Sequence, residues 1–264
     1  MTAPTRPYRF GDVILSEWTK FRSVRSTYWT FAVAIVLGIG LSALVSGISA
    51  NHYHTDPTIR FGWNPVQRSL RPGWFLAQLA FAVLGVMTVT SEYSTGMIRT
   101  SLAAVPKRTR MILAKILVFG VAALIVGEGI GFAAFALGQA LIHGEAPSAS
   151  LGQHDVLRVV VGTGLYLLFM GLLGSALAIL LRHAAAGIAF VVGILFILPG
   201  IAQALPTSWS QPIEKYWPTN AGQQLMATHR DPHTLPAWAG FGEFAVFVVI
   251  VAVVAVILLE RRDA

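Results

Sequence analysis

Three groupings in this 264-residue sequence have side-chain types that do chemistry. Ser175 and His183 offer a nucleophile and a base eight positions apart, the minimum for serine-type hydrolysis. Glu128 and Glu243 are two acids inside or beside apolar stretches. His229 and His233 have the i,i+4 spacing of zinc ligands on a helix, and His52 and His54 form a second close pair. Each grouping lacks a part. Ser175, in Gly-Ser-Ala, has neither an orienting acid nor evident oxyanion donors nearby. Pro232 breaks any helix joining His229 to His233, so the histidines read as solvated loop residues and no metal is expected. With no cysteine, disulfides, thiolate zinc sites and cysteine nucleophiles are excluded. No glycine precedes a lysine, so there is no phosphate-binding Walker loop, and any ATP that drives this protein is hydrolysed by another chain. No catalytic residue is assigned; an intramembrane serine protease stands as the enzymatic alternative.

The elements that position these residues are membrane helices. The chain is 55% apolar and 12% charged, with a mean hydropathy of +0.66, too little charge to cover a soluble surface. Apolar runs long enough for a bilayer core of about 30 Å recur six times. The expected fold is all-α: one transmembrane domain over residues 1–264, with spans at about 28–50, 73–90, 111–142, 157–181, 184–205 and 239–260. The first run is too long and starts too late for a signal peptide. Before it, residues 10–26 form an amphipathic helix expected to lie in the interface, with Trp18 and Phe21 toward acyl chains and Lys20 and Arg22 toward anionic head groups. Arg182 and His183 make a tight turn between spans four and five. The segment from Pro206 to Trp238 holds five prolines and cannot be one helix; Thr219 to Met226 suits a short helix behind Pro218.

Charge sets the orientation. With both ends in the cytoplasm, only Arg60, Arg68, Arg71, Arg158, Lys215 and Arg230 of the 19 lysines and arginines fall outside. Arg60, Arg68 and Arg71, all in the first outer loop, run against that trend. The net charge of +7 is carried at helix ends beside lipid, which excludes a nucleic-acid partner and makes the bilayer the expected one. In span three, Gly120, Gly127, Gly131 and Gly138 share a face suited to close helix approach. Glu128 lies in that span far from either end, either as a hydrogen-bonded tie between helices or as a contact for cargo or protons; Gln139 falls on nearly the same face.

Between spans two and three runs E-Y-S-T-G-M-I-R-T-S-L-A-A-V-P-K-R, from Glu92 to Arg108. Gly96 permits a change of direction, Met97, Ile98 and Leu102 supply apolar knobs, Arg99 and Arg108 supply charge, and Pro106 turns the chain into span three. A short amphipathic helix of this kind fits a groove on another protein. The segment resembles the signature of permease subunits of type-2 ATP-binding-cassette (ABC) exporters. Glu92, Gly96, Arg99, Leu102, Pro106 and Arg108 match it, with Met97 where the family has threonine. The N-terminal interfacial helix, the proline-rich segment before span six and the terminal Leu-Glu-Arg-Arg-Asp match too.

The resemblance implies the type-2 ABC exporter fold in a bacterial cytoplasmic membrane. It also implies a pair of permeases, expected as a homodimer, and two copies of a separate ATPase that carries the ATP and Mg; this chain binds no cofactor. Helices in the loop and at the N-terminus would receive the ATPase's closure. Family helix positions make Phe75, Gln78, Phe81, Met87, Phe190 and Phe196, with Glu128, candidates for the wall of the translocation path. An immunity or sensing subunit that sheds a peptide antibiotic would use the same machinery.

Overall fold

The computed structural model describes residues 9–94, 108–229 and 231–262. Among them there are no strands, and six helices are long and apolar enough to cross a membrane. A short helix α1 (Phe10–Ser23) comes first, and its start is tied where the Asp12 carboxylate accepts from the Arg9 N–H at 3.0 Å. Val24 is extended and makes an elbow into α2 (Arg25–Asn51), the first long helix. A single turn α3 (Pro57–Phe61), capped by Asp56, leads to α4 (Pro65–Ser94). Next are α5 (Arg108–Ile142), α6 (Val156–Leu181) and α7 (Ala184–Gln203). Two short helices, α8 (Thr207–Tyr216) and α9 (Pro218–Gln223), precede the last long one, α10 (Ala237–Arg262). The end of the bundle bearing α1 is called proximal here and the other end distal.

Local chemistry moves one boundary well away from the apolar run that marks it. α4 begins at Pro65, before the polar residues Gln67, Arg68, Ser69 and Arg71, because Asn64 caps it: its side-chain oxygen accepts the Gln67 N–H at 3.1 Å and proline takes the first helical position. At the far end of α6, Arg182 adopts the left-handed region (φ 55°) and its N–H returns to Ala178, so α6 and α7 fold into a hairpin across two residues.

α4 and α6 form the centre of the bundle. They approach so closely that a Cβ on Gly85 would enter the Gly171 carbonyl, and one on Gly174 would enter that of Ala82. Ser175 lies in this crossing and donates to the Gly85 and Gly171 carbonyls, both at 3.1 Å. In α5, Gly127 faces the Gly164 backbone, Gly131 faces Val160, and Gly138 faces Ser69; Gly120 meets only leucine side chains at ordinary distance.

Prolines inside these helices leave carbonyls without their usual donors, and side chains from neighbouring elements supply them. Pro72 has no N–H for the Arg68 carbonyl, and the Ser46 hydroxyl of α2 donates to it at 3.3 Å. In α7 a π-helical turn (Gly193–Ile197) precedes Pro199, with the Leu198 N–H bonding five residues back to Gly193. The next carbonyl in that register, Ile194, would look to Pro199 and instead receives the Trp217 indole N–H at 2.9 Å. A second π turn (Val36–Gly40) interrupts α2 where it crosses α4 at Gly73.

The distal segment is ordered by polar ties to the long helices. α9 runs on into a 3-10 turn (Gln224–Met226), and α8 is a helix that the sequence pattern did not announce. Arg158 of α6 donates to the Leu225 and Ala227 carbonyls at 2.6 and 2.9 Å. Gln223 reaches the fully buried Tyr166 hydroxyl at 3.3 Å, which donates to Gln78 on α4 at 2.9 Å. Gln139 joins α5 to Pro65 and Ser69 on α4.

These contacts separate two glycine classes by experiment. Gly85→Ala should destabilise the detergent-solubilised protein by about 1–3 kcal/mol or more through overpacking. Gly47→Ala, with open space at its Cβ, should be neutral or stabilising by about 0.5–1 kcal/mol. Thermal unfolding of the two variants checks this.

Candidate functional site

Four charged side chains meet at the proximal end. Glu17 and Lys20 are three apart on α1 and so share one face. Glu92 lies near the end of α4, and Lys115 in the early turns of α5, on either side of the segment joining them. Lys115 Nζ stands 2.6 Å from Glu17 Oε2 and 2.7 Å from Glu92 Oε1. Lys20 Nζ stands 2.6 Å from Glu17 Oε1 and 3.3 Å from Glu92 Oε1. The four form a closed ring of alternating sign with no net charge. Glu17, Glu92 and Lys115 are almost fully enclosed, with side chains 2%, 5% and 9% exposed, while Lys20 is 29% exposed.

Burial pulls the Lys20 ammonium down. The hydrogen bond that Lys20 donates to Glu17 and the charges of Glu92 and Glu17 more than offset this, and the net effect holds it above the usual lysine value. Beside the ring is a cleft of about 40 Å³, lined also by Thr27, Met87 and Ser91, with room for a water or two.

α1 is seated so that Val13 and Glu17 are buried while Leu15 and Trp18 are exposed. Trp18 is thus exposed, whereas Phe21, also expected toward acyl chains, packs on Phe31, and Lys20, expected at head groups, ion-pairs with Glu17 and Glu92. Arg22 is exposed. Trp18 stacks on Phe21 at 6.3 Å; Phe21 meets Phe31 edge-on, and Phe31 meets Phe81 at 5.9 Å. This aromatic chain carries the α1 contact across the Val24 elbow into α2 and α4. Thr109, at the start of α5, donates to Glu260 near the end of α10.

Of the predicted loop residues, Glu92 is in the ring. Gly96, Met97, Ile98, Arg99, Leu102 and Pro106 lie outside the described residues, as does the side chain of Arg108. The predicted path residues divide. Phe75 and Phe196 pair edge-on at 5.7 Å, with Phe75 and Phe190 exposed. Met87 is exposed beside the proximal cleft. Gln78 and Phe81 instead sit inside their own chain, 1% and 0% exposed, the first bonded to Tyr166 and the second packed on Phe31. Glu128 lies against Gly164, and its Oε2 has no hydrogen-bond partner among the described residues.

The protease pair is not assembled: Ser175 is buried and donates to two helix carbonyls, whereas His183 is exposed at the turn. His229 and His233 lie in non-helical chain.

Sequence reasoning missed Glu17 and the pairing of Lys115. The available signal was a carboxylate on the same helical face as Val13 and Lys20.

Lys115→Met removes one arm of an enclosed ring and leaves two carboxylates sharing one ammonium. Unfolding should become easier by about 3–5 kcal/mol, whereas Arg22→Gln should change stability by less than about 0.5 kcal/mol; thermal scans compare the two. Because Lys20 is raised in the fold, its contribution is complete below its unfolded value of 10.5 and is lost as pH rises through the folded one. Wild type should therefore lose stability more steeply than Lys20→Met above pH 10.5.

No curated relative matches the chain. A family model described as ABC-2 family transporter protein matches residues 13–200, which takes in Glu17, Lys20, Glu92, Lys115, the first four long helices and most of the fifth. With an all-α, multi-pass architecture and that match over more than half its length, the chain belongs to the ABC-2 family of transporter membrane proteins.

Proposed function

We propose that this chain is the permease subunit of an ATP-driven exporter and that the enclosed charge ring is its transmission joint. The proximal end is then cytoplasmic, with both termini, in agreement with the excess of lysine and arginine there. Residues 95–107 are the contact for a separate ATPase, two copies of which serve a pair of permeases, expected as a homodimer. ATP and Mg reside on those subunits.

The observation that carries the reading is that Glu92 and Lys115, at the two helix ends bracketing this loop, are both ion-paired to α1. Force applied to the loop cannot displace either end without moving α1 or separating enclosed charges. The latter costs several kcal/mol per pair, so moving together is the cheaper response. α1 continues through the Val24 elbow into α2, so α2, α4 and α5 receive one push.

Lever-like motion of that group against α6, α7 and α10 would open a path along exposed apolar surface. Phe75, Phe190 and Phe196 are the aromatic residues placed to line it, and an amphipathic or hydrophobic cargo suits such a wall. Gln78 and Phe81, enclosed within one chain, serve packing in this reading.

An ATPase subunit should co-purify with the chain. In the reconstituted complex, Arg99→Glu should lower stimulated ATP turnover by at least about ten-fold, a loss of about 1.4 kcal/mol of coupling. Glu92→Gln should lower it by a smaller factor, with membrane insertion intact for both. Unchanged turnover in both variants removes the loop and the ring from the coupling route.

A further inference from the structure

Arg60, Arg68 and Arg71 run against the charge asymmetry of the chain, and the structure gives two of them a common purpose. Arg68 and Arg71 are three apart in the first two turns of α4, so they share a face. They line a distal cleft of about 550 Å³, together with Val45, Asn64, Gln67 and Phe75.

Among the described residues, no carboxylate pairs with either guanidinium. Asp56, the acid nearest in sequence, is committed to the cap of α3, accepting the Thr58 N–H at 2.8 Å and the Thr58 hydroxyl at 2.6 Å. Arg68 is held in place by a 3.2 Å bond to Ser49. Asn64 and Gln67 each spend one amide hydrogen on Thr228 and Met226, while the two guanidiniums carry five N–H donors apiece and, among the described residues, a single bond from Arg68 to Ser49, which makes them the cleft's cationic donors. Two like charges on one helical face repel, and an anion between them relieves this. One turn further on, the same face becomes apolar at Phe75, which is 44% exposed and abuts Phe196 on α7.

We propose that this cleft binds an anionic phosphate monoester, with the phosphate between Arg68 and Arg71 and any hydrocarbon it carries running along Phe75. Guanidinium forks match phosphate oxygens, and a pair of them accommodates a phosphate better than a single carboxylate. The cleft grades from cationic to aromatic over two helical turns, the polarity profile of a phospholipid. On the topology proposed above it faces the outer leaflet. Binding to purified protein depends neither on that orientation nor on an ATPase, so this inference and the coupling reading fail separately.

The test uses the full chain in detergent micelles, with fluorescent phosphatidic acid and phosphatidylcholine as lipid probes and inorganic pyrophosphate as the soluble probe. Phosphatidic acid should bind wild type at least about ten-fold more tightly than phosphatidylcholine. Arg71→Gln, which removes no hydrogen bond among the described residues, should abolish that preference at an unchanged thermal midpoint, and Arg22→Gln on α1 should preserve it. Phe75→Ala should weaken the lipid and leave pyrophosphate unaffected. Competition by pyrophosphate at matching affinity would identify a soluble phosphate as the source of the anion; weak competition would identify a lipid head group. Equal binding of the two lipids, or a preference retained in both Arg71→Gln and Arg68→Gln, overturns the proposal.

Discussion

Two carboxylates and two ammonium groups meet at one end of a helix bundle, all but Lys20 almost wholly withdrawn from water, and they constrain everything near them. Each charge alone would be expensive to enclose; alternated in a ring, each has two opposite neighbours within about 3.3 Å. The ring adds little net stability against an apolar replacement, because desolvation offsets most of the Coulomb attraction. Its importance is geometric. Removing one member strands the others, so α1, the end of α4 and the start of α5 hold one mutual arrangement. A single unbroken joint at this position is what a chain needs if force enters between α4 and α5 and must leave through several helices at once.

The second constraint is the need to satisfy backbone groups where water is scarce. Pro72 and Pro199 each remove a donor from a long helix, and in each case a side chain from another element fills the vacancy. Ser46 and Trp217 thereby connect α2 to α4 and the distal segment to α7. The distal segment is thus held in place from α4, α6 and α7 through Gln67, Arg158, Tyr166 and the Ile194 carbonyl. Proline thereby determines which neighbour must stay near the carbonyl it leaves without a donor.

The span count was legible because 20-residue apolar runs have few alternatives. The tight α6–α7 turn was equally plain from two polar residues between two such runs. The start of α4 was not, since Arg68 and Arg71 look like loop and only the Asn64–Pro65 cap places them on a helix. Glu17 was hidden for a deeper reason. It stands beside Ser16 on a helix whose period marks it as polar, and its partner Lys115 lies 98 positions away, a separation that no periodic pattern encodes. The candidate path residues differ in exposure in a way the sequence does not show, because Phe81, which packs on Phe31, and Phe75, which is exposed, look alike in an apolar run. The π turns at Val36–Gly40 and Gly193–Ile197 have no sequence signature beyond their glycines and the nearby proline.

The most direct measurement of the central claim is a double-mutant cycle on Glu17→Gln and Lys115→Met, read in stimulated ATP turnover of the reconstituted complex and in thermal stability of the permease. If the ring transmits force as a unit, the two substitutions will be non-additive by about 1 kcal/mol or more in both readouts. Additivity within about 0.5 kcal/mol in turnover would mean that α1 and the loop-bracketing helices act independently, and would contradict the account.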